Sequence, residues 1–258
     1  MIRGIYTAAS GMIVESLRND VIANNLANVD TAGYKKDVTI SKDFASLLLR
    51  RINDGKDAPE IGSMGVGALV DKVATIHTDG ALKLTGNELD LAISGNGFFS
   101  IETPNGVRYS RNGSFTRNAQ GELVTQTGNR VLGTNNTPII LGAGNAANAN
   151  GVKALFTKDG RVYVDNLEVA QLQMVEFADP QRQLDKEGYN LYKAPDGVTG
   201  QAFTGQITQG VLETSNANVV TEMVNMIAGQ RAYETNAKVV QSQDELLDKA
   251  VNDVGAVS

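Results

Sequence analysis

Val219, Met223, Met226, Gln230, Tyr233, Ala237, Val240, Asp244, Leu247 and Val251 follow one another in alternating steps of four and three, and eight of these ten residues are apolar. Only a helix brings positions at that spacing to one side, and the rhythm runs beyond four heptads. Asn216 or Asn218 can cap its start, and Glu222 suits the positive end of the helix dipole. The other end of the chain carries a second stripe of the same kind. Ile2, Ile5, Ala9, Met12, Ser16, Asn19, Ala23 and Leu26 keep the rhythm, and six of the eight are apolar. Asp30-Thr31-Ala32-Gly33 supplies a glycine suited to a left-handed helix stop. Asn19, Asn24, Asn25 and Asn28 are poor interior helix formers, so this first helix is marginal in isolation. One stripe predicts a surface helix packed on its own domain. Two, at opposite ends of one chain, predict helices that pack on each other or on copies of themselves.

Between the stripes the period falls from 3.6 toward 2. Leu89-Asp90-Leu91-Ala92-Ile93 alternates, and Phe98-Phe99-Ser100-Ile101 follows Gly95-Asn96-Gly97. Turn signals recur at Asn105-Gly106, Asn112-Gly113, Gln120-Gly121, Gly128-Asn129, Asp159-Gly160, Asp196-Gly197 and Gly205, with short strands such as Val107–Tyr109, Glu122–Thr125 and Arg161–Val164 between them. Such spacing predicts an antiparallel sandwich or barrel. Ala143 to Gly151 reads as a loop. Tyr34 to Met64 reads as a connector, in which Phe44, Leu47, Leu48 and Ile52 could line a short helix broken by Asp54-Gly55 and Pro59. The expected fold class is α+β: N- and C-terminal helices packed as a coiled-coil-like pair, with a central antiparallel β-rich domain. The expected division is 1–35 N-terminal helical segment, 36–66 connector, 67–212 β-rich domain and 213–258 C-terminal helical segment.

The residues offer little chemistry. The chain has no cysteine, which excludes disulfides and thiolate metal sites. A net charge of −6 argues against nucleic-acid binding, which neutralises phosphates with basic residues. His77 is the single histidine and lacks an evident nucleophile partner, so a surface or strand role is expected. The Gly142–Ala147 run resembles a dinucleotide loop, but no helix is expected behind it to hold a pyrophosphate. The pairs Asp244 with Glu245 and Asp185 with Glu187 read as solvated charge, and Lys35-Lys36 and Arg50-Arg51 as solvated or interfacial pairs. No catalytic, cofactor-binding or metal-ligating residue is assigned, and no cofactor or small-molecule substrate is expected. No apolar run approaches the ~20 residues of a membrane span, so no membrane insertion is expected. The start lacks the apolar segment of a cleaved secretion signal. Little chemistry beside two sticky ends points to assembly, with the termini unfolded until partners arrive. The expected assembly interface is Ile5, Ala9, Met12, Ala23, Leu26, Val219, Met223, Met226, Tyr233, Ala237, Val240 and Leu247.

Three ordered blocks carry a family resemblance. At the start stand Ile5-Tyr6-Thr7-Ala8-Ala9-Ser10-Gly11-Met12 and Val21-Ile22-Ala23-Asn24-Asn25-Leu26-Ala27-Asn28 through Gly33-Tyr34-Lys35-Lys36. In the middle are Leu84-Thr85-Gly86-Asn87-Glu88-Leu89-Asp90-Leu91, Gly95-Asn96-Gly97-Phe98-Phe99 and Tyr109-Ser110-Arg111-Asn112-Gly113-Ser114-Phe115. At the end are Gly210-Val211-Leu212-Glu213-Thr214-Ser215-Asn216, Glu222 to Ile227, and Gln230-Arg231-Ala232-Tyr233-Glu234. Together these resemble the flagellar basal-body rod and hook proteins over nearly the whole chain. Phe44 to Asp54 and Val131-Leu132-Gly133 resemble the proximal rod member more than the distal one. The resemblance implies an axial structural subunit that is not an enzyme. It implies export unfolded through the flagellar type III apparatus without a cleaved signal, helical assembly in the periplasm, and torque transmission. The implied partners are copies of itself, other rod and hook subunits, and the export apparatus. Readings of a different class, a carbohydrate-active enzyme or a freestanding binding module on the β domain, would need a carboxylate pair in one cleft or termini ordered in the monomer.

Overall fold

The computed structural model describes residues 2–43, 47–50, 60–142, 153–195, 197–198 and 200–254. Phe44, Ile52, Asp54-Gly55, Pro59, Asp196 and the Ala143–Gly151 loop, with most of the dinucleotide-like run, lie outside the described residues. Two compact units emerge: Met1–Ala27 with Asp37–Ala74 and Val219–Ser258, and Asn28–Lys36 with Thr75–Asn218.

The first unit is built from both chain ends. Helix α1 spans Ile2–Ala27, and the long C-terminal helix spans Val219–Lys249. The two pack against each other. Strand Asp37–Asp43 pairs with Ala68–Thr75 beside α1. Asn25 fixes that arrangement: its amide donates to the Asp37 carbonyl (2.8 Å), and its Oδ1 accepts the Asp37 N–H (2.9 Å). An asparagine that weakens the helix thus secures the strand that follows it. At the other end of the ribbon Thr7 donates to the Val66 carbonyl (3.2 Å), and Ser10 Oγ accepts the Ala68 N–H (3.3 Å). Leu47–Arg50 and Glu60–Met64 form an antiparallel pair, not the short helix that Leu47 and Leu48 suggested. A short apolar run such as Leu47-Leu48-Leu49 does not distinguish strand from helix by its spacing.

The second unit is the β-rich body. Its largest sheet runs in the order Asp185–Glu187, Leu191–Lys193, Gly106–Ser110, Gly97–Thr103, Arg130–Gly133, Leu123–Thr125 and Phe115–Arg117. The described strand pairings are antiparallel. Strand Gly97–Thr103 is central and buried on both faces over Gly97–Ile101. Phe99, Ile101, Phe115, Leu123, Val131 and Ile139 form the main core, and a second core gathers Phe98, Phe177, Leu184 and Tyr192. A smaller sheet of Ala154–Phe156, Arg161–Val164 and Leu167–Gln171 adds Phe156 and Val162 to the main core. A one-turn helix, α2 (Pro180–Gln183), interrupts the strands, which makes the C-terminal helix α3. The expected turns at Asn105-Gly106 and Asp159-Gly160 join strands as read. Two other turns use Asp165-Asn166 and Tyr189-Asn190, all four residues at positive φ without glycine.

Two sequence readings change here. α1 ends at Ala27, ahead of the proposed glycine stop. Gly33 does adopt positive φ (65°), but for close approach: a Cβ there would lie 2.5 Å from the Arg111 backbone. Asn216 does not spend its side chain on capping. Its amide donates to the carbonyls of Ile76 (2.8 Å) and Thr78 (3.1 Å).

Candidate assembly surface

Where glycines lie in the contact between α1 and α3, they meet polar side chains. Gly4 faces Gln243, Gly11 faces Asn236, and Gly229 faces Asn19 and Glu15, so the helices run antiparallel. The approach is close. A Cβ on Gly11 would sit 2.9 Å from Asn236 Nδ2, and one on Gly229 would sit 2.4 Å from Asn19 Oδ1. Ala8, Ile22 and Asn25 are the buried residues of α1, and Glu222 and Gly229 those of α3. Glu222, Gly229, Asn236 and Gln243 stand seven apart, which is one line of a heptad. On α1 the corresponding line runs through positions 4, 8, 11, 15, 22 and 25, one residue ahead of the apolar stripe seen in the sequence.

The apolar side chains therefore flank this seam or point away from it. Ile5, Ala9, Met12 and Leu26 are half-buried and Ala23 is exposed. Met226, Tyr233, Ala237, Val240 and Leu247 are half-buried, while Val219 and Met223 are exposed. Further residues join them outside: Tyr6 (66% exposed), Ile13 (63%), Leu17, Val220, Val224, Ile227 (54%), Val239 and Leu246. Tyr6, Ile13 and Leu17 share one face of α1 by spacing, as do Val220, Val224 and Ile227 on α3. These exposed side chains form an apolar stripe on each helix, one position off the stripe read from the sequence.

A second constellation was missed entirely. Lys35, expected to be solvated or interfacial, is 0% exposed within the β unit. Its ammonium donates to Glu213 Oε1 (2.5 Å) and to the Thr78 carbonyl (2.7 Å). Gly80 N–H donates to the same Glu213 oxygen (2.8 Å). The Arg111 guanidinium lies 3.7 Å from Glu213 Oε2 and 3.6 Å from Asp79, donates to the Gly95 carbonyl (2.5 Å), and sits over the Phe98 ring. Burial pushes the Lys35 ammonium below the ordinary lysine range, opposed by the adjacent Glu213 carboxylate. His77 packs beside the rings of Phe98 and Tyr192, so its environment is aromatic. No local pattern reveals this cluster, since Lys35 and Glu213 are 178 residues apart; the only trace is that both fall in quoted signature blocks.

The β unit also carries an open groove of about 600 Å³, lined by Glu88, Lys153, Leu155, Tyr163 and Asp165 among others. Glu88 and Asp165 are both exposed. A general acid in a glycosidase relies on burial to stay protonated, and this groove supplies none to either carboxyl. Among the described residues no helix is long and apolar enough to cross a membrane.

Terminal helices with exposed apolar side chains, in a chain whose β unit folds about its own core, fit the class of a structural subunit. Comparison with known proteins identifies the family. Residues 5–35 match the description "Flagella basal body rod protein", 92–164 match "Flagellar hook protein FlgE/F/G D1 domain", and 208–253 match "Flagellar basal body rod FlgEFG protein C-terminal". The flagellar basal-body rod protein FlgG of Bacillus subtilis is 35% identical over 98% of this chain and 99% of its own length. FlgF of Caulobacter vibrioides, also named a flagellar basal-body rod protein, is 34% identical over the whole of both chains. The B. subtilis flagellar hook-basal body complex protein FlhO is 31% identical, again over the whole of both. The chain belongs to the flagellar basal-body rod protein family.

Proposed function

We propose that this protein is a structural subunit of the bacterial flagellar rod that assembles helically through the outward faces of its terminal helices and transmits torque along the shaft. One observation carries the reading: α1 and α3 pack together, with glycines meeting polar side chains in the contact, and leave Tyr6, Ile13, Val224 and Ile227 exposed. Burying those side chains against neighbouring subunits gains ~25 cal/mol per Å² of apolar area, less the cost of ordering the helices. The neighbours on this reading are copies of the chain and other rod and hook subunits. Export unfolded by the flagellar type III apparatus supplies the subunit to the periplasm on this reading. Nothing in this role calls for a catalytic group. Ile227→Asp tests it: the purified chain keeps its β-unit melting transition, while cells expressing only this variant lose swimming and yield basal bodies without a complete rod. Normal motility in that strain would contradict the reading.

Within the rod we assign the chain to the proximal segment. The alignment to the Caulobacter FlgF places all 258 residues in 261 positions, so only about three gap positions open in this chain. The alignment to the B. subtilis FlgG needs 271 positions for 98% of this chain. The distal segment is the alternative, favoured by the several FlgG relatives of similar identity. Complementation separates them: rescue of a strain lacking its proximal rod protein supports the assignment, and rescue only of a strain lacking the distal one reverses it.

A further inference from the structure

We propose that the cluster around Lys35 and Glu213 is a clasp that ties the two chain ends together inside the β unit, whether or not the helices beyond them are ordered. Its backbone bonds link the ends directly. Gly33 N–H donates to the Glu213 carbonyl (2.8 Å), Asn216 N–H donates to the Tyr34 carbonyl (3.3 Å), and Lys36 N–H donates to Asn216 Oδ1 (2.8 Å). The side chains then pin this junction to the body. Lys35 and Glu213 pair, Glu213 takes the Gly80 N–H, Arg111 flanks Glu213, and Asn216 holds the Ile76 and Thr78 carbonyls. From the far side Lys186 donates to the Lys35 carbonyl (2.9 Å) and lies 4.0 Å from the Tyr34 ring centre. All of these residues belong to the unit that has its own apolar core.

A buried ion pair adds little stability over an apolar pair of the same volume, but removing one partner is severe, because a lone charge stays buried. Such a pair selects one arrangement of the segments that carry it. Here it selects the arrangement in which 33–36 and 213–216 lie side by side. The chain then runs from this junction to α1 through residues 28–32 and to α3 through 217–218, two short tethers. The clasp shortens the length of chain that helix pairing must close, which raises the effective concentration of one helix at the other without any new contact. Only this last consequence rests on the proposed rod function.

The test is hydrogen exchange on the dilute full-length chain, wild type against Glu213→Gln and Asn216→Ala. Glu213→Gln keeps the shape and removes the charge opposite Lys35. Expected is exchange at least tenfold faster in segments 33–36 and 213–216 together, with strand Gly97–Thr103 unchanged, and a smaller joint change in Asn216→Ala. Loss confined to one segment overturns the proposal, as does equal loss in Gly97–Thr103 or no loss at all. Should Glu213→Gln fail to fold, the Asn216→Ala result decides by the same criterion. Because the measurement needs no rod, its failure is distinct from a failure of the assembly reading, which Ile227→Asp probes without touching the clasp.

Discussion

In the β unit, Phe98, Phe99, Phe115, Ile101 and Leu123 lie fully inside, while Leu84, Leu155, Leu167 and Tyr189 are exposed. In the helix unit few apolar side chains are buried: glycines meet polar side chains where α1 and α3 touch, as Gly11 with Asn236 and Gly229 with Asn19, and Tyr6, Ile13, Val220 and Ile227 are exposed. The first arrangement is stable by itself, because burial of apolar area drives folding. The second leaves apolar side chains in water, and on the proposed function a neighbouring subunit covers them.

The contrast is sharpest under truncation. Phe99→Ala removes a fully buried ring from the main core and is expected to cost about 3–5 kcal/mol in the β-unit unfolding transition. Ile13→Ala, at 63% exposure, is expected to change the stability of the isolated chain by less than about 0.5 kcal/mol, yet to weaken rod assembly. Equal costs in denaturant titrations of the two variants would erase the distinction. Gly229→Leu probes the seam, where a Cβ already meets Asn19. Overpacking is expected to cost about 1–3 kcal/mol, read as loss of helical circular dichroism with the β transition intact.

The smallest effect concerns acid. The hydrogen bond from Arg108 holds the Glu187 carboxyl below its ordinary range, and hydrogen bonds from Asn118 and then Arg130 do the same for Glu122. A carboxyl whose folded value is depressed contributes stability above its unfolded value, and that contribution fades as pH falls through the folded one. The β-unit melting temperature is therefore expected to fall slightly as pH drops below the ordinary glutamate range, and less so in Glu122→Gln. Glu187 is exposed, and Glu122, though mostly covered, pairs with the half-exposed Arg130, so the change is small.

Much of the fold was legible because periodicity reports local structure. The heptad rhythm marked both terminal helices, and Asn-Gly and Asp-Gly pairs marked hairpins. The seam was displaced by one residue on α1 because the usual inference puts the apolar stripe inside. A helix pair closed by Gly4, Gly11 and Gly229 inverts that rule, and a stripe alone does not say whether its cover is the same chain or another. The turns at Asp165-Asn166 and Tyr189-Asn190 lacked glycine and gave no signal. Lys35 was read as solvated or interfacial because lysine nearly always is; its partner Glu213 comes close only once the fold is complete.

The chain has no native cysteine, so single cysteines can report burial directly. Ile13→Cys and Ile227→Cys, probed with a soluble maleimide in the dilute monomer and in purified basal bodies, measure whether the outward helix faces are covered. Full labelling of the monomer and strong protection in intact particles, released on denaturation, is the expected result. Equal labelling in both states would show that these faces stay open to solvent in the assembled rod, and would contradict a shaft held together by them.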